Sequence, residues 1–335
     1  MGRYLARRLL QFIPVVIGTM FLLHYITTLG IQFNGDPVRA LFGDRPPPDA
    51  VLASIRDRYG LDDPCLQQPG NPCIGLFIDR IGEYLRGDFG TSIRFTDRPI
   101  TDLVVERAPV TIRLTVIAVV FETVIGILIG TMAALRKDGF VDNSVRIVTT
   151  LLVSTPIFVF GVLVQVFGAL ALRSWLLEND APLWLSDMFS PVYNVANPWL
   201  SLIVPGFVLG AFSLASIARL TRTSLIENLR ADYVRTARAK GLPARRTIGV
   251  HALRNSLIPV VTFIGIDIGV LMGGAVVTET IFGIPGVGQL VLLSVRGQDA
   301  LVIIAVVTML VLVFLVANLI VDVLYAVLDP RIRYD

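Results

Sequence analysis

Charged side chains are scarce in this sequence of 335 residues: Asp, Glu, Lys and Arg make up 16% of it, whereas soluble domains contain about 25%. Apolar residues make up 54%, and the mean hydropathy is +0.72. Such a chain has too few charges to cover a water-exposed surface, which indicates a membrane protein. The formal net charge of +3 does not indicate a nucleic-acid partner, because the basic residues occur in blocks beside apolar runs.

The motifs of common enzymes are also missing. The sequence contains no G-x-x-x-x-G-K-[ST] loop, no nucleophile elbow and no H-E-x-x-H. Its two histidines, His24 and His251, are distant in sequence from the two cysteines, which argues against a zinc site. The stretch "GIPGVGQ" at 283–289 lacks the lysine of a nucleotide loop, and we interpret it as a turn. We therefore expect no catalytic residue, and no cofactor or metal bound by this chain.

Long apolar runs dominate the sequence. Six of them reach the roughly 20 residues that a helix needs to cross about 30 Å of hydrocarbon: 9–31, 112–135, 145–172, 199–220, 257–278 and 301–327. The first starts like a signal peptide but has no cleavage pattern, so we interpret it as retained. The alternating pattern of a membrane barrel is absent, and a bilayer requires backbone groups to be satisfied within each segment. The sequence predicts an all-α membrane protein with a bundle of six transmembrane helices.

The positions of Lys and Arg predict the orientation of this bundle. With the N-terminus inside, two basic residues, Arg173 and Arg296, flank the spans on the outer face, against seventeen on the inner face. The seventeen are Arg3, Arg7, Arg8, Arg136, Lys137, Arg146, Arg219, Arg222, Arg230, Arg235, Arg238, Lys240, Arg245, Arg246, Arg254, Arg331 and Arg333. The segment 33–110 carries nine more, but long loops translocate largely regardless of charge.

This orientation divides the chain into cytoplasmic, membrane and outer parts. The expected parts are a cytoplasmic N-terminus at 1–8, a first span at 9–31, an extracytoplasmic loop at 32–111, a transmembrane core at 112–327 with a cytoplasmic loop at 221–256, and a cytoplasmic C-terminus at 328–335.

The predicted extracytoplasmic loop contains both cysteines, Cys65 and Cys73. An oxidising compartment would permit a disulfide between them; two unpaired thiols are the alternative. Apolar residues at helical spacing between Ile74 and Leu85 predict an amphipathic helix, and 45–60 gives a second, weaker pattern. We expect a folded loop, which either lies on the membrane or the bundle or serves as a docking surface for an external protein.

Few ionisable residues lie within or at the ends of the spans: His24, Glu122, Asp267, Glu279 and Asp322. Such residues are costly in hydrocarbon and usually face the bundle interior, so Glu122, Asp267 and Glu279 are candidate residues of a transport pathway. Structural hydrogen bonding is the alternative for each of them. Solvation at the membrane surface is a further alternative for Glu279 and Asp322.

The polar, basic stretch "ADYVRTARAKGLPARRTIGVHALRNS" occupies 231–256, between two apolar runs. Asp232 suits an N-cap, 233–240 would form two helical turns, Gly241 suits a left-handed position after the helix, and Pro243 suits the first turn of the next one.

One face of the predicted helix is small, because Val234, Ala237 and Gly241 are spaced i, i+3 and i+7. We expect this face to enter a groove of a partner, with Arg235, Arg238 and Lys240 pointing elsewhere. A basic loop held against anionic lipid is the alternative.

Several motifs together resemble one transporter family. "DYVRTARAKGL", followed by "HALRNSLIPVVT", resembles the cytoplasmic coupling loop of permease subunits of bacterial dipeptide/oligopeptide/nickel ATP-binding-cassette (ABC) importers. In the wider superfamily that loop reads E-A-A, three residues, Gly, nine residues, I-x-L-P, and the leading Glu and final Pro are missing here. The aligned positions are Arg235, Thr236, Ala237, Gly241, His251, Leu253 and Arg254. Further stretches resemble the first of the two paired permeases: "RYLARRLLQFIPVVIGTMFLLHYI", "GDPVRALFG", "YGLDDP", "LRGDFGTSI", "LVSTPIFVFGVL", "ETIFGIPGVGQL" and "DVLYAVLDPRIR".

The resemblance implies the six-helix fold of a type I importer permease in the bacterial inner membrane. It implies four kinds of partner besides lipid: a homologous second permease that completes the pore, two ATPase subunits, and an extracytoplasmic substrate-binding protein. ATP and Mg would be used by the ATPase subunits. The residues implied in coupling are Asp232, Val234, Arg235, Ala237, Arg238, Lys240 and Gly241.

Two other function classes remain as alternatives. An ion-coupled secondary transporter would need paired intramembrane carboxylates and usually internal repeats. An intramembrane enzyme would need a nucleophile and base in one motif. The cargo stays open among dipeptides, longer peptides, glutathione, nickel chelates and oligosaccharides.

Overall fold

The computed structural model of the chain describes residues 2–34, 48–58, 61–92, 94–95, 97–297 and 299–328. Apart from a β-bridge between Thr91 and Pro99, the regular structure of these residues is helical. The motif "GDPVRALFG", the segment after residue 328 and the side chain of Asp322 lie outside the described part.

The described helices are numbered here in chain order. They are α1 (Gly2–Asn34), α2 (Asp49–Arg58), α3 (Ile74–Leu85), α4 (Ile100–Leu135), α5 (Phe140–Ser154), α6 (Ile157–Glu178), α7 (Leu183–Met188), α8 (Ile203–Leu229), α9 (Asp232–Ala239), α10 (Ala244–Ser256), α11 (Ile258–Ile281), α12 (Val287–Arg296) and α13 (Ala300–Leu328).

Five segments of the described chain are long and apolar enough to cross a membrane: Leu10–Phe33, Ile100–Leu135, Ile157–Glu178, Leu200–Leu229 and Ala300–Leu319. A sixth arises if α10 and the first part of α11 form one span, which bends by 45° at the break between them. Each of the six predicted runs overlaps one of these segments, and the all-α membrane fold is confirmed.

The third predicted run, 145–172, differs from the structure. Helix α5 ends at Ser154, Thr155 adopts an extended conformation (φ −92°, ψ 127°), and α6 starts after Pro156. A residue that precedes proline is disfavoured in helical conformation, so the helix breaks within the apolar run. The candidate span therefore begins at Ile157.

The chain divides into two compact units: 1–108 with 289–315, and 109–288 with the segment that begins at 316. In the first unit, Cys65 and Cys73 form a disulfide, with their Cα atoms 5.5 Å apart. The Nε2 atom of His24, on α1, lies 3.1 Å from the carbonyl oxygen of Pro72 and 3.2 Å from that of Cys73. Since carbonyl oxygens only accept, Nε2 carries the hydrogen, and Nδ1 accepts from Arg80 Nη1 at 3.1 Å. His24 therefore joins α1 to α3 and the disulfide loop.

The second unit is built around α8, which packs closely against α4. Glycines line this contact on both helices: Gly126 and Gly130 on α4, Gly206 and Gly210 on α8. A Cβ atom at Gly130 would lie 2.5 Å from the carbonyl oxygen of Ala218. The small-x-x-x-small spacing thus lets the two backbones meet, as is common between membrane helices. The buried core beside this contact comprises Val110, Leu114, Ala118, Ala169, Leu202, Val204, Val208, Leu209, Leu271, Ala275, Phe282 and Ile284.

Candidate functional site: the coupling segment and the buried carboxyl groups

Helix α9 begins one residue earlier than predicted. The N-cap is Ala231, in extended conformation, and Asp232 is the first helical residue without a side-chain capping bond. The prediction that Asp232 caps the helix is therefore wrong. Its carboxylate still lies in the first turn and Arg238 in the last, where each charge is favourable for the helix dipole.

Gly241 ends α9 in the left-handed conformation, as predicted, with φ +76°. The N–H of Gly241 donates to the carbonyl of Arg238 at 2.9 Å, and the N–H of Leu242 donates to that of Ala237 at 3.3 Å. These two bonds form a Schellman motif, which satisfies carbonyls at the helix end. Pro243 is the N-cap of the next helix and lies just outside its first turn.

The small face of α9 packs against this chain itself. Val234 is fully buried and Ala237 is 6% exposed, and Val234 belongs to a cluster with Ala134, Leu225 and Ala252. The prediction that Val234 and Ala237 enter a partner's groove is therefore wrong. Gly241 is exposed, and a Cβ atom at this position would meet nothing within 4 Å.

The face of α9 that remains available is polar and basic. Its exposed residues are Asp232, Tyr233, Arg235, Thr236, Arg238, Ala239 and Lys240. The hydroxyl of Tyr233 donates to the side-chain carbonyl of Asn228 near the end of α8. A partner that approaches α9 would therefore contact Arg235, Arg238 and Lys240, which were predicted to point away from the packing face.

An ion pair that the sequence analysis did not identify joins α5 to α8. Arg222 donates from Nε to Asp142 Oδ1 at 2.5 Å and from Nη2 to Oδ2 at 2.6 Å. Asp142 is fully buried and also accepts from the backbone N–H of Asp138 at 2.9 Å. The hydrogen bonds from Arg222 lower the pKa of Asp142 from 3.8 to about 2. Arg222 precedes Leu225 by about one helical turn, so the pair fixes α8 close to the cluster that contains Leu225 and Val234.

Glu279 is fully buried near the end of α11. Thr111 donates to its Oε1 at 2.6 Å and accepts from the N–H of Val287 at 2.9 Å. A Cβ atom at Gly286 would lie 2.2 Å from Oε1, and one at Gly288 would lie 3.0 Å from Oε2. Gly286 and Gly288 therefore leave room for the Glu279 carboxyl group, which explains why glycines occur in the turn that leads into α12. Because Glu279 is fully buried, it is not solvated at the membrane surface.

Two other buried carboxyl groups lie close together between α4 and α11. Glu122 is fully buried and Asp267 is 6% exposed. They interact with each other electrostatically, and Asp267 also interacts with Ser213 on α8. The structure thus brings together two of the three predicted pathway residues, whereas Glu279 belongs to the separate turn at α12. In the described part of the chain, no group of three or more His, Cys, Asp or Glu side chains is arranged to hold a metal ion.

The chain matches one protein family over most of its length and several known proteins over its full length. Residues 126–334 match the family "Binding-protein-dependent transport system inner membrane component". The chain is 34% identical over 335 residues to a "Probable peptide ABC transporter permease protein" of Sinorhizobium fredii, with all of both chains covered. It is 36% identical to a "Dipeptide transport system permease protein" of Alkalihalophilus pseudofirmus, with 99% of each chain covered. It is also 36% identical to a "Glutathione transport system permease protein" of Escherichia coli, with all of both chains covered.

A family match over more than half of the chain, together with relatives above 30% identity along its full length, leads to one conclusion: the chain belongs to the family of inner membrane components of binding-protein-dependent transport systems.

Proposed function

We propose that this chain is a pore-forming permease subunit that imports peptides in an ATP-driven transporter, and that α9 transmits the action of an ATPase subunit to the membrane helices. Peptide cargo is supported by the relatives, whose names specify peptides, dipeptides and, in one case, the tripeptide-like glutathione. The family is the membrane component of ABC transporters, in which the ATPase is a separate subunit. ATP and Mg would accordingly bind to partner chains.

The proposed partners are a homologous second permease, two ATPase subunits and an extracytoplasmic substrate-binding protein. The observation that carries the coupling role is the anchoring of α9. Val234, on its buried face, belongs to an apolar cluster with Leu225 of α8 and Ala252 of α10, and its other face is exposed. A force on the exposed face would therefore reach α10 and α8 through this cluster, and α8 packs against α4 through glycine contacts.

Docking of an ATPase subunit can be distinguished from attachment to anionic lipid by two variants. Arg235→Glu combined with Arg238→Glu reverses charge on the exposed face and would weaken both kinds of contact. Ala239→Trp adds bulk without charge at an exposed position, so it would obstruct a groove and leave lipid attachment intact. Arg86→Glu, at an exposed site on another segment, is the matched control.

The experiment purifies the tagged permease together with its co-expressed partner subunits. We expect at least a tenfold loss of co-purifying ATPase for Ala239→Trp and for the double charge reversal, with normal membrane insertion. Unchanged assembly and uptake in the Ala239→Trp variant would overturn the docking role of α9.

We also propose that both termini and α9 face the cytoplasm, as the distribution of basic residues predicts. A cysteine introduced at exposed Asp138 should react with an impermeant maleimide only after permeabilisation, and one at exposed Asp88 should react in intact cells. The opposite result would contradict both the orientation and the coupling role.

One observation favours a second candidate, the ion-coupled secondary transporter: Glu122 and Asp267 form the kind of intramembrane carboxyl pair that such a protein would use. Peptide uptake into vesicles separates the two functions. An ABC importer requires internal ATP and its partner subunits, whereas the alternative requires only this chain and an ion gradient. Within the ABC importer, Glu122 and Asp267 remain candidate pathway residues.

A further inference from the structure

The chain contains three tryptophans, and all of them lie between residues 175 and 199. Trp175, Trp184 and Trp199 are 57%, 55% and 52% exposed. The segment joins two candidate membrane spans, one that ends at Glu178 and one that begins at Leu200. It therefore lies at one surface of the membrane.

The segment is fixed to the second unit by its inner side. Phe189 and Tyr193 pack against the buried core of that unit. Gln165, on α6, donates from Nε2 to the carbonyl of Pro191 at 3.0 Å and to that of Ile281 at 2.9 Å. These contacts determine which side chains point away from the protein.

Between residues 182 and 199 every exposed residue is apolar, whereas the exposed residues Glu178, Asn179 and Asp180 lie just before this stretch. Leu183, on α7, is 73% exposed, and Val192 and Val195 are 57% and 79% exposed. Within this stretch the carboxylate of Asp187 bonds inside the loop, where it accepts from Asn197 Nδ2 at 2.6 Å. Isolated apolar residues are common on protein surfaces, but here several large ones, two of them tryptophan, are exposed within 18 residues of sequence.

We propose that the segment 175–199 is an interfacial anchor, with Trp184 and its apolar neighbours inserted at the boundary between lipid headgroups and acyl chains. Tryptophan favours this boundary because its ring is apolar and its N–H can still bond to headgroups or water. The guanidinium of Arg113 lies 6.0 Å from the centre of the Trp199 ring, but the segment itself carries no Lys or Arg from residue 174 to residue 218 and three carboxylates, Glu178, Asp180 and Asp187. The occupant is therefore zwitterionic lipid, because a site for anionic headgroups would need a basic cluster.

Intrinsic fluorescence tests the proposal on the full-length chain in phosphatidylcholine nanodiscs. The decisive protein keeps Trp184 and carries Trp175→Phe and Trp199→Phe. We expect acyl-chain bromination near the headgroups to remove most of its emission, bromination near the acyl ends to remove less, and aqueous acrylamide to have little effect. Addition of anionic lipid should leave the quenching unchanged.

The matched control carries all three Trp→Phe substitutions together with Tyr233→Trp, on the exposed face of α9. It should show the reverse pattern, with strong quenching by acrylamide and little by brominated lipid. If Trp184 behaves like this control, the segment is in water and the proposal is wrong. If neither reagent quenches Trp184, protein covers the patch, which also overturns the proposal.

Discussion

Arg222 of α8 and Asp142 of α5 form a two-bond ion pair across 80 positions of sequence, with both donor–acceptor distances at or below 2.6 Å. The Asp142 side chain is fully buried, and that of Arg222 is 18% exposed. Loss of one partner would leave the other charge without compensation, which is more damaging than the absence of the whole pair.

Arg222→Met should therefore destabilise the protein by about 3 kcal/mol, because it leaves the Asp142 carboxylate buried and unpaired. Asp142→Asn should be milder, since the amide oxygen can still accept from Arg222. Thermal unfolding in detergent measures both, and the double variant Asp142→Asn/Arg222→Met should recover part of the loss. Additive losses in the double variant would contradict direct coupling between the two residues.

The same pair predicts a dependence on pH. The folded-state pKa of Asp142, about 2, lies below the ordinary value of 3.8. The ionised Asp142 side chain therefore contributes fully to the free energy of unfolding above pH 3.8, and this contribution is lost as the pH falls towards 2. The contribution amounts to about 2 kcal/mol. The difference in unfolding temperature between the parent protein and Asp142→Asn should be constant from pH 7 to pH 5 and smaller at pH 3. An unchanged difference at pH 3 would show that Asp142 does not have a lowered pKa.

Substitution of Gly241, at the end of α9, tests the cost of the left-handed backbone conformation alone, because an added Cβ atom would not clash with any neighbour. Gly241 has φ +76° and Gly249 does not have positive φ, and a Cβ atom at either would meet nothing within 4 Å. Gly241→Ala should destabilise the coupling segment by about 1 kcal/mol, and Gly249→Ala should be neutral or slightly stabilising. Hydrogen exchange of the α9 amides measures the difference. Equal protection in the two variants would rule out the conformational argument.

The disulfide closes a loop of eight positions in the first unit. Its removal by Cys65→Ser should lower stability by roughly 2 to 3 kcal/mol, because the unfolded chain gains freedom. Peptide mapping without reductant should show Cys65 linked to Cys73 in native membranes. Recovery of both as free thiols after rapid alkylation would contradict the pairing.

The sequence alone predicted local features well and tertiary partners poorly. The left-handed glycine after α9 is a local property of residue 241, so its position could be predicted. The small residues Val234 and Ala237 indicated close packing but could not identify the partner surface. The structure places Val234 in a cluster with Ala134, Leu225 and Ala252 of the same chain. The bond between Asp142 and Arg222 depends on how α5 and α8 pack, which hydrophobic periodicity does not specify.

The glycine contact between α4 and α8 provides the last prediction. A Cβ atom at Gly210 would lie 2.8 Å from the carbonyl oxygen of Ala118, which belongs to a helical backbone and cannot rotate away. The helices would have to separate, which should cost about 1 to 3 kcal/mol. Gly18→Ala, on α1, is the matched control because nothing lies within 4 Å of its Cβ position. Since helix propensity favours alanine over glycine in both cases, a lower unfolding temperature for Gly210→Ala alone would isolate the packing effect, and equal temperatures for the two variants would show that α4 and α8 do not meet this closely.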